Sequence, residues 1–211
     1  MAPRGSLFIV SGPSGSGKST VAAAVLSSLP GLVFSVSYTT RPPRGSERDG
    51  VEYHFVGPEE FQRLIAAGEL LEWAVVYGNC YGTSGRAVES ALAKGMDVLL
   101  DVDVQGARSV REKRPEAVSV FIVPPSFGTL RERLERRALD KHYVIEERLR
   151  IVSEEVRQYR SYDYLIINDG LAGAVGELEA VIRATRCRMN VRMAAAMSVL
   201  SSFGGVDDEN S

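Results

Sequence analysis

Hydrophobic positions fall in short runs separated by polar, glycine-bearing turns, and the spacing inside the runs changes along the chain. Residues 7–10, LFIV, are an unbroken apolar run ending in Ser and Gly. From Gly17 the segment KSTVAAAVLSSL carries helical spacing until Pro30 and Gly31 stop it. The chain is thus expected to open with a strand, a turn and a helix. Mostly apolar runs at 32–38 (LVFSVSY), 96–102 (MDVLLDV), 117–123 (AVSVFIV) and 164–167 (YLII) predict further buried strands, each followed by a segment of helical spacing. Such alternation predicts an α/β fold in three layers, a mainly parallel central sheet with helices on both faces.

Two stretches break this rhythm. From residue 40 to 84 the chain offers YHFV, a short helix opened by Pro58 and closed near Gly68, and the strand-like LLEWAVVY, with glycines at 78, 82 and 85 around its end. This predicts a small insertion. The second, RERLERRALDKHYVIEERLR at 131–150, is dense in charge of both signs and predicts a helical one. The expected organisation is one domain, its core about 6–39, 85–130 and 151–186, followed by an extension over 187–211. The closing GGVDDENS has the composition of a disordered tail.

Composition narrows the partners. A chain of 211 residues, 45% hydrophobic and 25% charged, suits one globular domain with a full core. A net charge of −2 supplies no overall basic field, which argues against generic nucleic-acid binding and leaves anion recognition to a local cluster. Cys80 and Cys187 lie far apart without zinc-type spacing, so a reduced, cytoplasmic chain is expected. MAPRGS has no signal-peptide pattern, and the most apolar late stretch, MAAAMSVLSSF at 193–203, is too short to span a bilayer, so no membrane segment is expected.

The strongest chemical signal stands at the first strand-to-helix turn. Residues 12–19, GPSGSGKS, satisfy G-x-x-x-x-G-K-[ST] directly after a predicted strand and at the start of a helix. Gly12, Gly15 and Gly17 let the backbone curl, so that successive N–H groups point at phosphate oxygens at the positive end of the helix, and Pro13, Ser14, Ser16 and Thr20 complete the expected ATP-binding loop. Lys18 is expected to reach the β and γ phosphates and Ser19 to ligate Mg²⁺. A P-loop of this type needs an acid for the metal, and LLDVD supplies Asp101 and Asp103 at the end of an apolar strand. Asp101 fits the metal, whereas Asp103 also fits a cap on the next helix. ATP and Mg²⁺ are therefore expected, and an acceptor is still missing.

The stretch SYTTRPPRGSERDGVEY, 37–53, supplies the acceptor chemistry. Arg41 and Arg44 flank Pro42 and Pro43, which restrict the backbone and favour two guanidinium forks aimed at one dianion. Tyr53 and Tyr81 add phenolic donors. Together, SVSYTTRPPRGSERDGVEYHF, EWAVVYGNCYGTS, LLDVDVQG and YDYLIIND, in that order after GPSGSGKST, closely resemble the guanylate kinase family over about residues 6–186.

That resemblance implies a P-loop nucleotide kinase fold with a GMP-binding insertion and a helical lid, and transfer of the γ-phosphoryl group of ATP to GMP. It implies that Ser37, Arg41, Arg44, Tyr53 and Tyr81 line the monophosphate site, with the arginines and tyrosines on the phosphate. Ser37, Glu72, Thr83 and Asp103 match the positions that read the guanine edge. Glu47 and Gly82 belong to the same motif, Glu47 orienting an arginine. Arg133, Arg137 and Arg148 match lid residues that close on the triphosphate, and Asn168 falls near the adenine. Two places depart from the family pattern. The lid reads ALDKHYVIEE after Arg137, and Cys80 stands where relatives carry a larger side chain. Cys80, Trp73 and His54 are expected to pack and not to react. Beyond Arg186 an additional helix is expected on the core or on a second copy, so monomer and homodimer both fit. Two other classes share part of these features: a kinase-like interaction module without phosphotransfer, and another P-loop enzyme acting on a different nucleotide.

Overall fold

The structure, a computed structural model, describes residues 4–137, 149 and 152–203. The chain begins β1 (Leu7–Ser11), α1 (Lys18–Ser28), β2 (Leu32–Phe34), β3 (Ser37–Thr39) and β4 (Tyr53–Phe55). It continues α2 (Pro58–Ala66), β5 (Leu70–Val76), β6 (Asn79–Ser84), α3 (Gly85–Ala93), β7 (Asp97–Asp101) and α4 (Val104–Lys113). The last part comprises β8 (Val118–Val123), α5 (Phe127–Arg137), α6 (described over 152–156), β9 (Tyr164–Ile167), α7 (Leu171–Arg186) and α8 (Met189–Ser202).

Five strands form the central sheet in the order β2-β7-β1-β8-β9, and every pairing in it is parallel. Successive residues of a strand point to opposite faces, so β1 feeds two cores. Phe8 and Val10 pack with Val21 and Val25 of α1 and with Leu178 and Ile182 of α7. Leu7 and Ile9 pack with Val88 and Leu92 of α3 and with Ala107 and Val110 of α4. Continuous apolar runs become strands here because both faces are covered, as expected for the three-layer α/β class.

The run at 32–38 is not one strand. Leu32–Phe34 pairs with β7 in the central sheet, whereas Ser37–Thr39 belongs to a second sheet. That sheet has four strands in the order β4-β3-β6-β5, with β3-β4 parallel and the other two pairings antiparallel. Its strand β6, NCYGTS, gives no strand signal in sequence, since glycine and asparagine are poor in strands. A tight hairpin recruits it. Tyr77 and Gly78 form the two-residue loop between β5 and β6, both with positive φ (48° and 77°), the type I′ geometry that matches strand twist.

The register of this hairpin decides what faces what. It shifts between Leu70 and Glu72, so that Leu70 opposes Ser84 but Glu72 opposes Thr83. Glu72, Ala74 and Val76 therefore share one face with Thr83, Tyr81 and Asn79, while Cys80 lies opposite Val75 on the other. Cys80 accordingly packs on Phe61, Leu64 and Leu70, the filler role expected of it. His54 also packs, its ring 4.9 Å from that of Tyr38. Trp73 departs from expectation. It is 46% exposed on β5, the edge strand of the small sheet. After α7 the extension forms α8, on which Met189, Met193 and Met197 are exposed.

Candidate active site

The P-loop turns at the carboxyl end of β1, where open parallel sheets place their ligands. Gly12, Gly15 and Gly17 have φ of 146°, 85° and 87°, in the region that favours glycine. Two of them also need the space. A Cβ at Gly12 would lie 2.1 Å from the Ile122 carbonyl oxygen, and one at Gly17 would lie 2.4 Å from Asn168 Nδ2. Between them Ser16 N–H donates to the Pro13 carbonyl at 3.2 Å, which fixes the curl. No side chain caps α1, so the amides of Lys18 and Ser19 open its positive end toward the loop. Ser14, Lys18, Ser19 and Thr20 are half-buried or exposed along the rim, and Gly15 backs onto Leu130 and Leu134 of α5.

Asn168 is buried behind the loop. Its Nδ2 donates to the Ser16 carbonyl at 2.8 Å, so it acts on the P-loop itself. Arg133, one turn inside α5, donates to the same carbonyl at 3.3 Å and to the Asn168 carbonyl at 3.1 Å. Three segments distant in sequence are thereby stitched at one point. Arg137 closes α5, and Arg148 lies outside the described residues.

Across the sheet edge, β7 brings its terminal carboxylate to the loop. Ser19 Oγ donates to Asp101 Oδ2 at 2.5 Å. Both are hard oxygen ligands, and among the described residues no group of three or more His, Cys, Asp or Glu side chains gathers to hold a metal. A hydroxyl and one carboxylate suit Mg²⁺, which takes its remaining oxygens from phosphates and water. The donor set fits the ion.

A cavity of about 220 Å³ runs from Lys18, Ser19 and Asp101 to Ser37, Tyr53, Tyr81, Glu72 and Asp103. At its far end Glu72, 3% exposed, accepts the Thr83 hydroxyl at 2.5 Å. Burial first, and then the neighbouring Asp103 charge, push the Glu72 carboxyl up to about 7. Asp103 combines both of its expected roles. Oδ1 accepts from Gly106 N–H at 2.8 Å as the N-cap of α4, and the residue also borders the cavity, where burial raises its carboxyl above the usual range.

On the phosphate side, Arg41 is buried and held by Glu47 in a two-pronged pair, Nη1–Oε2 and Nη2–Oε1 both 3.0 Å. Glu47 also accepts Arg44 N–H at 2.8 Å, so one carboxylate sets both arginines across the two prolines. Arg41 is raised above its ordinary value chiefly by that contact, and Glu47 is lowered by it. The Arg41 guanidinium lies 5.4 Å from the ring centre of Tyr53, which in turn meets Tyr81 edge-on at 5.8 Å. Burial, followed by the Asp101 charge, raises the Tyr53 phenol, keeping it a neutral donor. Arg44 itself is exposed, so the two forks are not equivalent: one is pinned and one is free to swing.

Gly82 is the predicted site residue that parity turns away. It is buried opposite Trp73, where a Cβ would lie 2.9 Å from Leu70 Cδ1 and 3.1 Å from Phe61 Cζ. Conversely, Ala74, Val76 and Tyr77 line the cavity and escaped sequence reading, because apolar residues in a strand carry no chemical signal. Gly106 also escaped it.

Residues 4–185 match the family described as Guanylate kinase. The chain is 50% identical over 207 residues to the guanylate kinase of Symbiobacterium thermophilum, covering 98% of each chain. It is 47% identical over 203 residues to that of Geobacter sulfurreducens, covering 96% of this chain and all of the other. The crystal structure of guanylate kinase from Anaplasma phagocytophilum superposes with a TM-score of 0.81 at 33% identity, covering 98% of this chain and 99% of that one.

Proposed function

The chain belongs to the guanylate kinase family and transfers the γ-phosphoryl group of ATP to GMP, and from that premise we propose how its own residues divide the work. The loop Gly12–Thr20 holds the triphosphate, with Lys18 on the β and γ phosphates. Ser19 and Asp101 hold Mg²⁺, which supplies positive charge where the transferring group accumulates negative charge. Arg41, Arg44, Tyr53 and Tyr81 hold the GMP phosphate. Ser37, Glu72, Thr83 and Asp103 read guanine. Arg133 approaches the triphosphate from the lid side, Arg137 and Arg148 share its task by their match to the family's lid residues, and Asn168 keeps the loop in shape. The expected setting is the cytoplasm, in purine nucleotide metabolism, as a monomer or homodimer. No helix of the described residues is long and apolar enough to cross a membrane.

One observation carries this reading: a single cavity is lined both by phosphate chemistry at Lys18, Ser19 and Asp101 and by the buried Glu72, whose carboxylate accepts the Thr83 hydroxyl from behind. Phosphoryl transfer asks for positioning and charge neutralisation and needs no protein nucleophile. A GMP phosphate oxygen attacks the γ-phosphorus while the bond to ADP breaks. Closure of the insertion and the lid excludes the water that would otherwise hydrolyse ATP.

Arg44 gives the direct test of the acceptor clamp. Losing one bidentate charged contact costs about 1.5 to 3 kcal/mol, so Arg44→Met is predicted to weaken GMP binding roughly ten- to a hundredfold. Calorimetry should find ATP binding unchanged. Equal losses for both nucleotides would remove Arg44 from the acceptor site.

A further inference from the structure

We propose that Gly106 is a positioning residue for base recognition: the absence of a side chain there is what lets the Glu72 carboxylate occupy the end of the acceptor cavity. The inference rests on the reading of Glu72 as the group that accepts guanine's N1–H and exocyclic amine.

Gly106 is the third residue of α4, and it is buried against β5. A Cβ built on it would lie 2.6 Å from Glu72 Oε2, 3.2 Å from Glu72 Cδ and 3.1 Å from Asp103 Oδ1. Both acids at that end of the cavity thus converge on one backbone carbon. The backbone itself has no need of glycine. Gly106 is not among the positive-φ glycines, and its N–H is already used by the Asp103 cap. An α-helix favours alanine over glycine at such a position, so the reason for glycine lies in what stands beside it.

The carboxylate has little freedom to retreat from an added methyl group. Glu72 is buried, its Oε1 is engaged by the Thr83 hydroxyl, and the register shift after Leu70 fixes its backbone opposite Thr83. What yields is Oε2, the oxygen that Thr83 leaves for the base. A methyl group at residue 106 therefore acts on recognition and not on the helix that carries it.

The test is steady-state kinetics with GMP, AMP and ATP, alongside thermal unfolding, on the parent, Gly106→Ala, Glu72→Gln, Glu72→Asp and the double variant Gly106→Ala/Glu72→Asp. Displacing one charged acceptor predicts that Gly106→Ala raises KM for GMP about tenfold or more and shrinks the preference for GMP over AMP. KM for ATP should stay within about twofold of the parent, and the unfolding midpoint should fall by no more than a few degrees, since the gain in helix propensity offsets part of the crowding. Because aspartate withdraws the carboxylate by one methylene, adding Gly106→Ala to Glu72→Asp should cost far less than adding it to the parent. An unchanged KM for GMP in Gly106→Ala, beside an impaired Glu72→Gln, would overturn the inference and leave the reading of Glu72 intact. GMP and ATP constants that worsen together with a larger fall in the midpoint would overturn it in favour of packing alone. A Glu72→Gln enzyme with normal GMP kinetics would remove the premise and the inference with it.

Discussion

Glu72 is a carboxylate in a place that disfavours its charge, and the conflict is informative. Guanine presents N1–H and the amine as adjacent donors, which an ionised carboxylate accepts together. Adenine presents a lone pair at N1 instead. A site that leaves buried polar groups unmatched rejects the wrong substrate by about 10⁴ to 10⁵. Glu72→Gln is therefore predicted to lower kcat/KM for GMP roughly a hundredfold or more, to leave ATP binding intact and to shrink the preference over AMP. The same burial predicts a pH dependence. The carboxyl moves from an ordinary value of 4.5 up to about 7, so between those values the folded state binds the proton that the unfolded state has released. Its ionisation penalty is absent below that window and complete above it, so stability falls as pH rises through it. Relative to the parent, Glu72→Gln should gain up to roughly 3 kcal/mol of stability between pH 4 and pH 8, read by denaturant titration. The kcat/KM for GMP should instead rise as the carboxylate forms near pH 7, and Glu72→Gln should lose that limb. A parallel rise in both enzymes would assign it to the GMP phosphate.

Elements differ in how openly the sequence declares them. The P-loop was legible because spacing and context coincide: Gly12 to Ser19 between an apolar run and a helix admits few other uses. The inner parallel strands β1, β7 and β8 were legible because burial on both faces makes them mostly apolar, whereas β9, at the sheet edge, is apolar and largely exposed. The small sheet was less so. Neither the break after Phe34 nor the recruitment of β6 is written in residue types, and the register shift at Leu70 decides whether Glu72 or its neighbour faces the cavity. Gly82 and Cys80 stand beside site residues in sequence and face away from them in space because successive strand residues alternate faces. At this scale Lys18→Ala is predicted to cut kcat by about 10³ while the unfolding midpoint stays at the parent's value, since the lysine is half-exposed at the first turn of α1. Activity within tenfold of the parent would contradict the assignment. Asn168→Ala tests the loop's support. It removes the 2.8 Å bond to the Ser16 carbonyl, and should cost about 1 to 2 kcal/mol in stability and raise KM for ATP, with GMP binding unchanged by calorimetry.

For the whole molecule, the two sheets have separate duties. The parallel sheet delivers Lys18, Ser19 and Asp101 from the carboxyl ends of adjacent strands, and the mixed sheet delivers Ser37, Glu72 and Tyr81 to the same cavity. Sequence revealed which residues belong to each, because phosphate-binding and arginine-rich motifs carry unusual residue types. It did not reveal what joins them. The ties between Arg133, Asn168 and Ser16, the contact of Gly106 with Glu72, and the apolar wall of Ala74 and Val76 arise only when distant segments fold together. The central claim is that this joint cavity selects its acceptor by the guanine edge. The measurement that meets it most directly is kcat/KM for GMP, AMP, CMP and UMP with saturating ATP. The account predicts a preference for GMP over AMP of about 10⁴ or more, which shrinks roughly a hundredfold or more in Glu72→Gln. Phosphorylation of AMP within tenfold of GMP by the parent, or a preference that survives Glu72→Gln, would contradict it.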